Sequence, residues 1–422
     1  MPSCLEELVA AWHSGCSRGI YSVCSAHPWA LEAAIEQALE DGTQLLVEAT
    51  SNQVNHRGGY TGMQPADFRR LVEGVASAKG LGLERLILGG DHLGPNPWQT
   101  LPAAEAMGEA ERMVDAYARA GFTKIHLDAS MACGGEPGPL SDETIAERAA
   151  RLCAVAEQAS GERKPVYVIG TEVPVPGGAT ESLSHLEPTR REAAAKTLEV
   201  HHRIFAGAGL AAAWPRAIAL VVQPGVEFNH QDVVDYNAAR ARHLPELLRR
   251  EPGRVYEAHS TDYQRPSALK ELVRDGFAIL KVGPALTFAL REALRALEQI
   301  EVELVEPRRR SCLMGVLEQA MLDNPQHWKH HYSGDARTMR LLRRYSYSDR
   351  VRYYWAVPEV RDAVAQLDGN LKETGIPETM LSAYLPRQYK AVRSGRLRPE
   401  ARAIAIDRIR DAIRPYAEAC WG

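Results

Sequence analysis

Short runs of aliphatic and β-branched residues recur along the chain at 20–24, 45–49, 86–88, 124–127, 166–169, 218–222, 255–257 and 279–282. Between them the apolar positions change period. Phe68, Leu71, Val72 and Val75 fall at i, i+3, i+4 and i+7, and Leu31, Ala34, Ile35 and Leu39 make a similar stripe. These spacings predict amphipathic helices between strands. Ser141, with Asp142 and Glu143 behind it, predicts a capped helix start for the run 144–159. Strand and helix thus alternate eight times before residue 305, which is the size and order of a (β/α)₈ TIM barrel, an α/β fold. A doubly wound open sheet fits less well, because its first turn is Gly-rich whereas the first turn here reads CSAHPW.

After Val305 the alternation breaks at EPRRRS, and the rest of the chain reads as helices. Leu313, Val316, Leu317 and Met321 share one face, Val360, Val364 and Leu367 another, and Ile404, Ile406, Ile409 and Ile413 a last stripe. The expected organisation is a barrel over 1–305 and a C-terminal helical extension over 306–422, packed on the barrel. Within the extension, YSYSDRVRYYW (345–355) is aromatic and basic. It fits either a helix packed on the barrel or part of a lid over the open mouth, since arginine beside aromatic rings suits packing as well as a phosphate or sugar.

Composition narrows the function class without choosing it. Of 422 residues, 45% are apolar and 25% charged, with 50 basic against 54 acidic side chains, so nothing in the charge balance calls for nucleic acid or a membrane surface. The sequence has no run of 18 apolar residues and no basic-then-hydrophobic leader at MPSCLEELVAAWHSG, and a cytoplasmic protein is expected. Seven scattered cysteines without a CxxC read as reduced, mostly buried thiols rather than a disulfide framework or thiolate zinc site.

If the fold is a barrel, chemistry gathers where the strands end. The central stretch is GGDHLGPNPW, in which Asp91 and His92 stand side by side after an apolar run. Adjacent residues cannot share one face of an extended strand, so the pair is expected at a strand end where the backbone turns. The other ends are polar too: His27 after the first run, Glu48 and Asn52 at the second, Asp128 and Ser130 at the fourth, Glu172 at the fifth, Gln223 and Glu227 at the sixth, His259, Ser260 and Asp262 at the seventh, Lys281 and Gly283 at the eighth. Ionisable groups are costly to bury without partners or a metal, and their convergence predicts a polar, metal-bearing pocket. Two imidazoles and a carboxylate, His92, His259 and Glu172, can hold a catalytic divalent ion with an open position. His126 shares a face with Asp128, and either can point into the pocket or support a ligand from behind. His185, His201, His202, His327, His330 and His331 are read as solvated surface. No GxxxxGK[ST] loop exists, which argues against a kinase.

The stretches SVCSAHP, LVEATSNQVNHRGGYTGM, LGGDHLGPNPW, KIHLDASMACGG, IGTEVPVPGG, VVQPGVEFNH, YEAHSTDYQ and LKVGPALTFALREAL resemble the Z-subunit family of D-tagatose-1,6-bisphosphate aldolase. The resemblance covers nearly the whole chain, the YSYSDRVRYYW tail included. It implies a class II aldolase-like barrel, a role in galactitol or N-acetylgalactosamine breakdown, a catalytic aldolase subunit as partner, and an older kinase label. Some relatives resemble metal-dependent ketose 4-epimerases. Against the catalytic class II aldolases, Asp91 and His92 match the acid and first metal His, Glu172 the carboxylate, and His259 the His ending strand seven. The sixth strand departs, with Gln223 where those enzymes carry a metal-binding His, and Ser260-Thr261-Asp262 replaces their Gly-rich phosphate loop.

The resulting expectation is a metal-dependent protein acting on a ketose or ketose 6-phosphate by C3–C4 retro-aldol and aldol chemistry, of the fructose/tagatose 4-epimerase type. Asp91, Glu172 and Asp128 are expected as catalytic groups; His92, His259 and Glu172 as ligands of a divalent metal, zinc first, with Mn, Mg or Ni as alternatives. His27, Glu48, Asn52, Gln223, Ser260, Asp262, Lys281 and Gly283 are expected against the substrate. A homo-oligomer is expected. The alternative is a non-catalytic subunit that stabilises and activates the catalytic aldolase.

Overall fold

The computed structural model describes residues 3–170 and 186–422. Its strands are β1 (Ile20–Val23), β2 (Leu45–Thr50), β3 (Leu86–Leu93), β4 (Lys124–Leu127), β5 (Val166–Ile169), β6 (Ala217–Val221), β7 (Glu227–Phe228), β8 (Val233–Val234), β9 (Val255–Ala258) and β10 (Phe277–Val282). Eight of them close a parallel barrel in the order β1-β2-β3-β4-β5-β6-β9-β10, while β7 and β8 form a small antiparallel ladder beyond β6. The barrel strands are short, aliphatic and covered on both faces, which is why they read as continuous apolar runs rather than as alternation. Helices follow the barrel strands, and Ser141 caps Asp142–Ala159 by accepting from Thr144 N at 3.1 Å, as its sequence predicts.

The barrel interior is not wholly apolar. Lys124, fully buried, places its Nζ 2.8 Å from Glu48 Oε2 and 2.7 Å from Glu257 Oε2, neither of which is exposed at all. Ser22 donates to Glu48 Oε1 at 2.6 Å, and Lys281 stands 2.9 Å from both Glu48 and Asp91. Gly89 lies opposite Glu48 in the β2–β3 register, and a Cβ on it would come within 2.7 Å of Glu48 Cγ. The glycine therefore makes room for the buried acid, rather than for a ligand. Gly94 serves a tighter approach: a Cβ there would meet the Asp128 carbonyl oxygen at 1.5 Å.

The tail is helical, ending in Ala401–Trp421, which packs against Pro28–Asp41, Pro266–Arg274 and Pro284–Leu304 on the barrel's outer wall. It buries Ile404, Ile409, Ile413 and Tyr416. Its Cys420 carbonyl accepts from Gly19 N at 3.1 Å, just before β1. All seven cysteines are free, but only Cys133, Cys153 and Cys420 are buried, and Cys16 and Cys312 are exposed, so the expectation of mostly buried thiols fails. No described helix is long and apolar enough to cross a membrane.

Removing one member of a buried ion network leaves its partners uncompensated in a dry interior. Lys124→Met, which would leave Glu48 and Glu257 facing each other, should cost about 3–5 kcal/mol in urea unfolding. A loss below about 1 kcal/mol would mean the network is not what holds the interior together.

Candidate metal and active site

Asp91 and His92 lie at the end of β3, as expected, though β3 runs on to Leu93, past the apolar run 86–88. β3 stays paired with β2 through Asp91, but its register with β4 slips between Gly90 and Leu93, and His92 adopts left-handed backbone at φ 50°. A bulge of this kind turns two successive side chains toward one side. Both residues line the pocket at the strands' C-terminal ends.

There they meet two more imidazoles. Asp91, His92, His126 and His259 are all buried, and one donor atom from each lies within 4.8 Å of the others. The rings form a triangle with centroids 5.0 Å (His92–His126), 4.8 Å (His92–His259) and 5.2 Å (His126–His259) apart. Each ring is anchored from behind by a group that can only accept. His92 Nδ1 donates to Asp128 Oδ2 at 2.7 Å, His126 Nε2 to the Gly170 carbonyl at 3.0 Å, and His259 Nε2 to Glu257 Oε1 at 2.9 Å. That leaves His92 Nε2 and His259 Nδ1 for the centre; His126 Nδ1 also faces inward, 3.1 Å from Asp91 Oδ1, and accepts from His92 N at 3.3 Å. Imidazoles held by outer acceptors, with their inner nitrogens converging beside a carboxylate, are what a metal-binding set requires. The group can hold a divalent metal ion.

The local electrostatics agree. Burial alone would raise Asp91, but the Lys281 ammonium and His92 outweigh it and hold the carboxyl well below its usual range. Burial would likewise lower His92, but Asp91 and Asp128 outweigh it and raise the ring. His259 goes the other way: burial lowers it to about 4 despite Glu257, so it stays neutral and able to ligate. Burial would lower Lys281 too, but Asp91 and the other acids around it keep it well above its ordinary value.

The remaining expected residues divide. Asn52, Ser260, Asp262, Lys281 and Gly283 line the same pocket as Asp91, His92 and His259. Asp128 does not face it as a free base, because it holds His92. Glu48 lies below, inside the ion network. His27 caps Pro28–Asp41 by accepting from Trp29 N at 3.2 Å. It lines an adjoining cavity of about 460 Å³, which shares Gln53, Tyr60, Gly283, Arg352 and Tyr353 with the site pocket. Gln223 turns its oxygen onto Gly225 N (2.8 Å) and Val226 N (3.0 Å), shaping its own loop. Glu172 and His185 lie outside the described residues. Of the histidines read as surface, His202 and His330 are exposed, but His201 is buried and bonded to the Thr197 carbonyl on its own helix, while His327 and His331 are half-buried.

His126, which the sequence puts either in the pocket or behind it, is the third imidazole, on β4, whereas Gln223, after β6, holds its own loop. The signal for His126 was its spacing to Asp128, which puts both on one strand face. Within 345–355, Arg350–Tyr353 is a 3₁₀ turn, and its Arg352 and Tyr353 line the pocket.

A family model described as D-tagatose-1,6-bisphosphate aldolase subunit GatZ/KbaZ-like matches residues 5–421. Among solved structures, a probable tagatose 6 phosphate kinase from Sinorhizobium meliloti 1021 is 51% identical with a TM-score of 0.89, covering 96% of this chain and 100% of that one. The YdjI aldolase from Escherichia coli K12 is 11% identical with a TM-score of 0.42, covering 89% and 98%. The fructose-bisphosphate aldolase of Campylobacter jejuni is 12% identical with a TM-score of 0.45, covering 88% and 93%. Matched over nearly its whole length, the chain belongs to the D-tagatose-1,6-bisphosphate aldolase subunit GatZ/KbaZ-like family.

Proposed function

We propose that this chain is a metal-dependent ketose enzyme that breaks and remakes the C3–C4 bond of a ketose or ketose 6-phosphate, inverting C4 as in fructose–tagatose interconversion. The observation that carries this reading is the convergence of His92, His126 and His259, each anchored from behind, on the ionised Asp91. The family's aldolase description supports the bond class. A bound divalent ion, zinc foremost, supplies Lewis-acid polarisation of the substrate carbonyl. Asp91 takes the proton of the C4 hydroxyl; C3–C4 breaks, its electron pair passing toward the C2 carbonyl oxygen, and C4 becomes an aldehyde carbon. Lys281, 2.9 Å from Asp91, keeps that carboxylate ionised and oriented before the proton arrives. If the aldehyde turns over before the bond re-forms, C4 is inverted and Asp91 returns the proton. Asn52 and Ser260 meet sugar hydroxyls, while Arg352 and Tyr353 from the tail keep the fragments from escaping. Glu172 joins this proposal from the sequence alone, by its place after the fifth strand and by the resemblance. A kinase reading, carried by the name of the Sinorhizobium relative, finds no GxxxxGK[ST] loop in the sequence.

A second reading rests on the family's description as an aldolase subunit: the chain supports a separate catalytic aldolase. The two readings are compatible.

With Zn, Mn, Mg or Ni, purified chain should interconvert fructose and tagatose, or their 6-phosphates, without ATP. Asp91→Asn should lower turnover by about 10² to 10⁴-fold while metal stays bound. No epimerisation with any of the four metals would leave only the subunit reading.

His92→Ala, His126→Ala and His259→Ala should each weaken zinc binding by about tenfold or more; unchanged occupancy in all three removes the site. Because Asp91 and Asp128 raise His92, the metal must displace a proton there. Affinity should therefore climb about tenfold per pH unit up to that raised value and level off above it. In metal-free protein the same proton stabilises the fold. That stability is fully present below the ordinary histidine value and is lost as pH rises through the raised one, so the cost of His92→Gln in urea should shrink over that window.

For the subunit reading, a catalytic class II aldolase should co-purify with this chain and keep its activity longer at working temperature in its presence. Equal half-lives, with and without the chain, would remove that role.

A further inference from the structure

In βα barrels a substrate phosphate is commonly held where the loops after the seventh and eighth strands meet a helix N-terminus, whose unpaired N–H groups and dipole favour an anion. In barrel order those strands are β9 and β10 here, and the helix is Pro284–Leu304. Its N-terminus is already filled from within the chain. Asp262 Oδ1 accepts from Gly283 N at 3.0 Å and from Ala285 N at 2.8 Å, and the carboxylate is 3% exposed. Ser260 and Tyr263 hold left-handed backbone at φ 53° and 65° on either side of it, so the loop is shaped around this contact.

Asp262 is also part of the pocket that contains Asp91, His92 and His259, so its carboxylate is within the space open to a molecule seated over the metal group. The two long cations in that pocket are already engaged. Lys281 stands 2.9 Å from both Glu48 and Asp91, and Arg352 donates to the Ser348 carbonyl, to the Asp349 carbonyl at 3.2 Å and to Tyr353 Oη at 3.1 Å. A phosphate dianion here would find the Gly283 and Ala285 N–H groups used, Lys281 paired with acids, the Arg352 guanidinium already donating to two carbonyls and Tyr353, and a carboxylate in its place. A hydroxymethyl group would find an acceptor for its O–H.

We propose that Asp262 is a specificity-determining residue that selects an uncharged hydroxymethyl terminus and bars a phosphomonoester from this end of the pocket. The chain then takes a free ketose, or a ketose phosphorylated at its other end only, and rejects a ketose bisphosphate. The inference rests on the ketose reading above and fixes which charge states of that substrate class fit.

Calorimetric binding to metal-loaded and metal-free protein tests it, with D-fructose, its 1-phosphate, its 6-phosphate, its 1,6-bisphosphate and inorganic phosphate as probes. Wild type should bind the bisphosphate about tenfold or more weakly than the better monophosphate, since like charges forced together oppose binding. Asp262→Gly, which frees both N–H groups, should erase most of that difference and gain inorganic phosphate binding. Asp262→Asn keeps an acceptor for the same N–H groups and removes the charge; it should reduce the difference by about threefold or more, and it carries the test if the glycine variant does not fold. Equal wild-type affinity for the bisphosphate and the better monophosphate overturns the proposal, as does a preference unchanged in both variants. If no ketose binds in any form, the ketose reading fails. The inorganic phosphate arm then still decides, a gain in Asp262→Gly supporting exclusion and no gain overturning it.

Discussion

The structure depends on a charge balance sealed inside the barrel. Glu48, Glu257 and Asp91 face Lys124 and Lys281, all of them buried, and each ion tolerates burial only because its neighbours are placed. The network also orients the site above it. Glu257 holds the outer nitrogen of His259, and Lys281 holds Asp91. Three carboxylates against two ammonium groups leave the interior with one surplus negative charge before Asp128 is counted. A buried surplus of that sign favours a cation, and Asp91 and Asp128 accordingly raise His92, favouring its protonated form. A divalent ion at the three imidazoles would meet it more fully, so the proton on His92 and the metal compete for one electrostatic role.

Much of the fold was legible because a parallel barrel strand is buried on both faces, and burial on both faces leaves a plain aliphatic run. Runs such as 166–169 match β5 residue for residue. The strand that carries the chemistry was the one whose extent was misjudged. In β3 the polar and glycine residues from Gly89 onward look like a strand's end, yet hydrogen bonding to β2 continues through Asp91 because a bulge absorbs the irregularity. Pattern reasoning follows periodicity, and a bulge is the device by which a strand breaks period without ending.

The metal group was half legible for a related reason. His92 and His259 stood out as strand-end residues, whereas His126 lies inside β4, where a histidine reads equally as packing. Only the three-dimensional closure of the barrel brings its Nδ1 to Asp91. Gln223 shows the converse. A polar side chain at a strand end suggested substrate contact, but its amide closes a local turn, which a single sequence does not separate from a binding role. His201 was misread because a helix surface position was assumed wet, while its ring lies against its own helix beneath other elements.

The tail reaches the site from two directions, and this bears on why chemistry built from a barrel would need it. Arg352 and Tyr353 form part of the pocket wall directly. From the outer wall, Tyr416 in the last helix donates to the Thr261 carbonyl at 2.5 Å, and Thr261 Oγ1 donates to the Lys281 carbonyl at 2.5 Å. The loop bearing His259 and Asp262 is thus clamped to β10 and to the C-terminal helix together. An aldolase must release its fragments, whereas an epimerase must keep them long enough for one to turn. Under the proposed reading, a pocket whose wall and supporting loop are both held by a segment outside the barrel sequence would favour retention. On that view the difference between the two reactions lies less in the shared metal and base than in how firmly residues 306–422 close the mouth and brace the β9 loop.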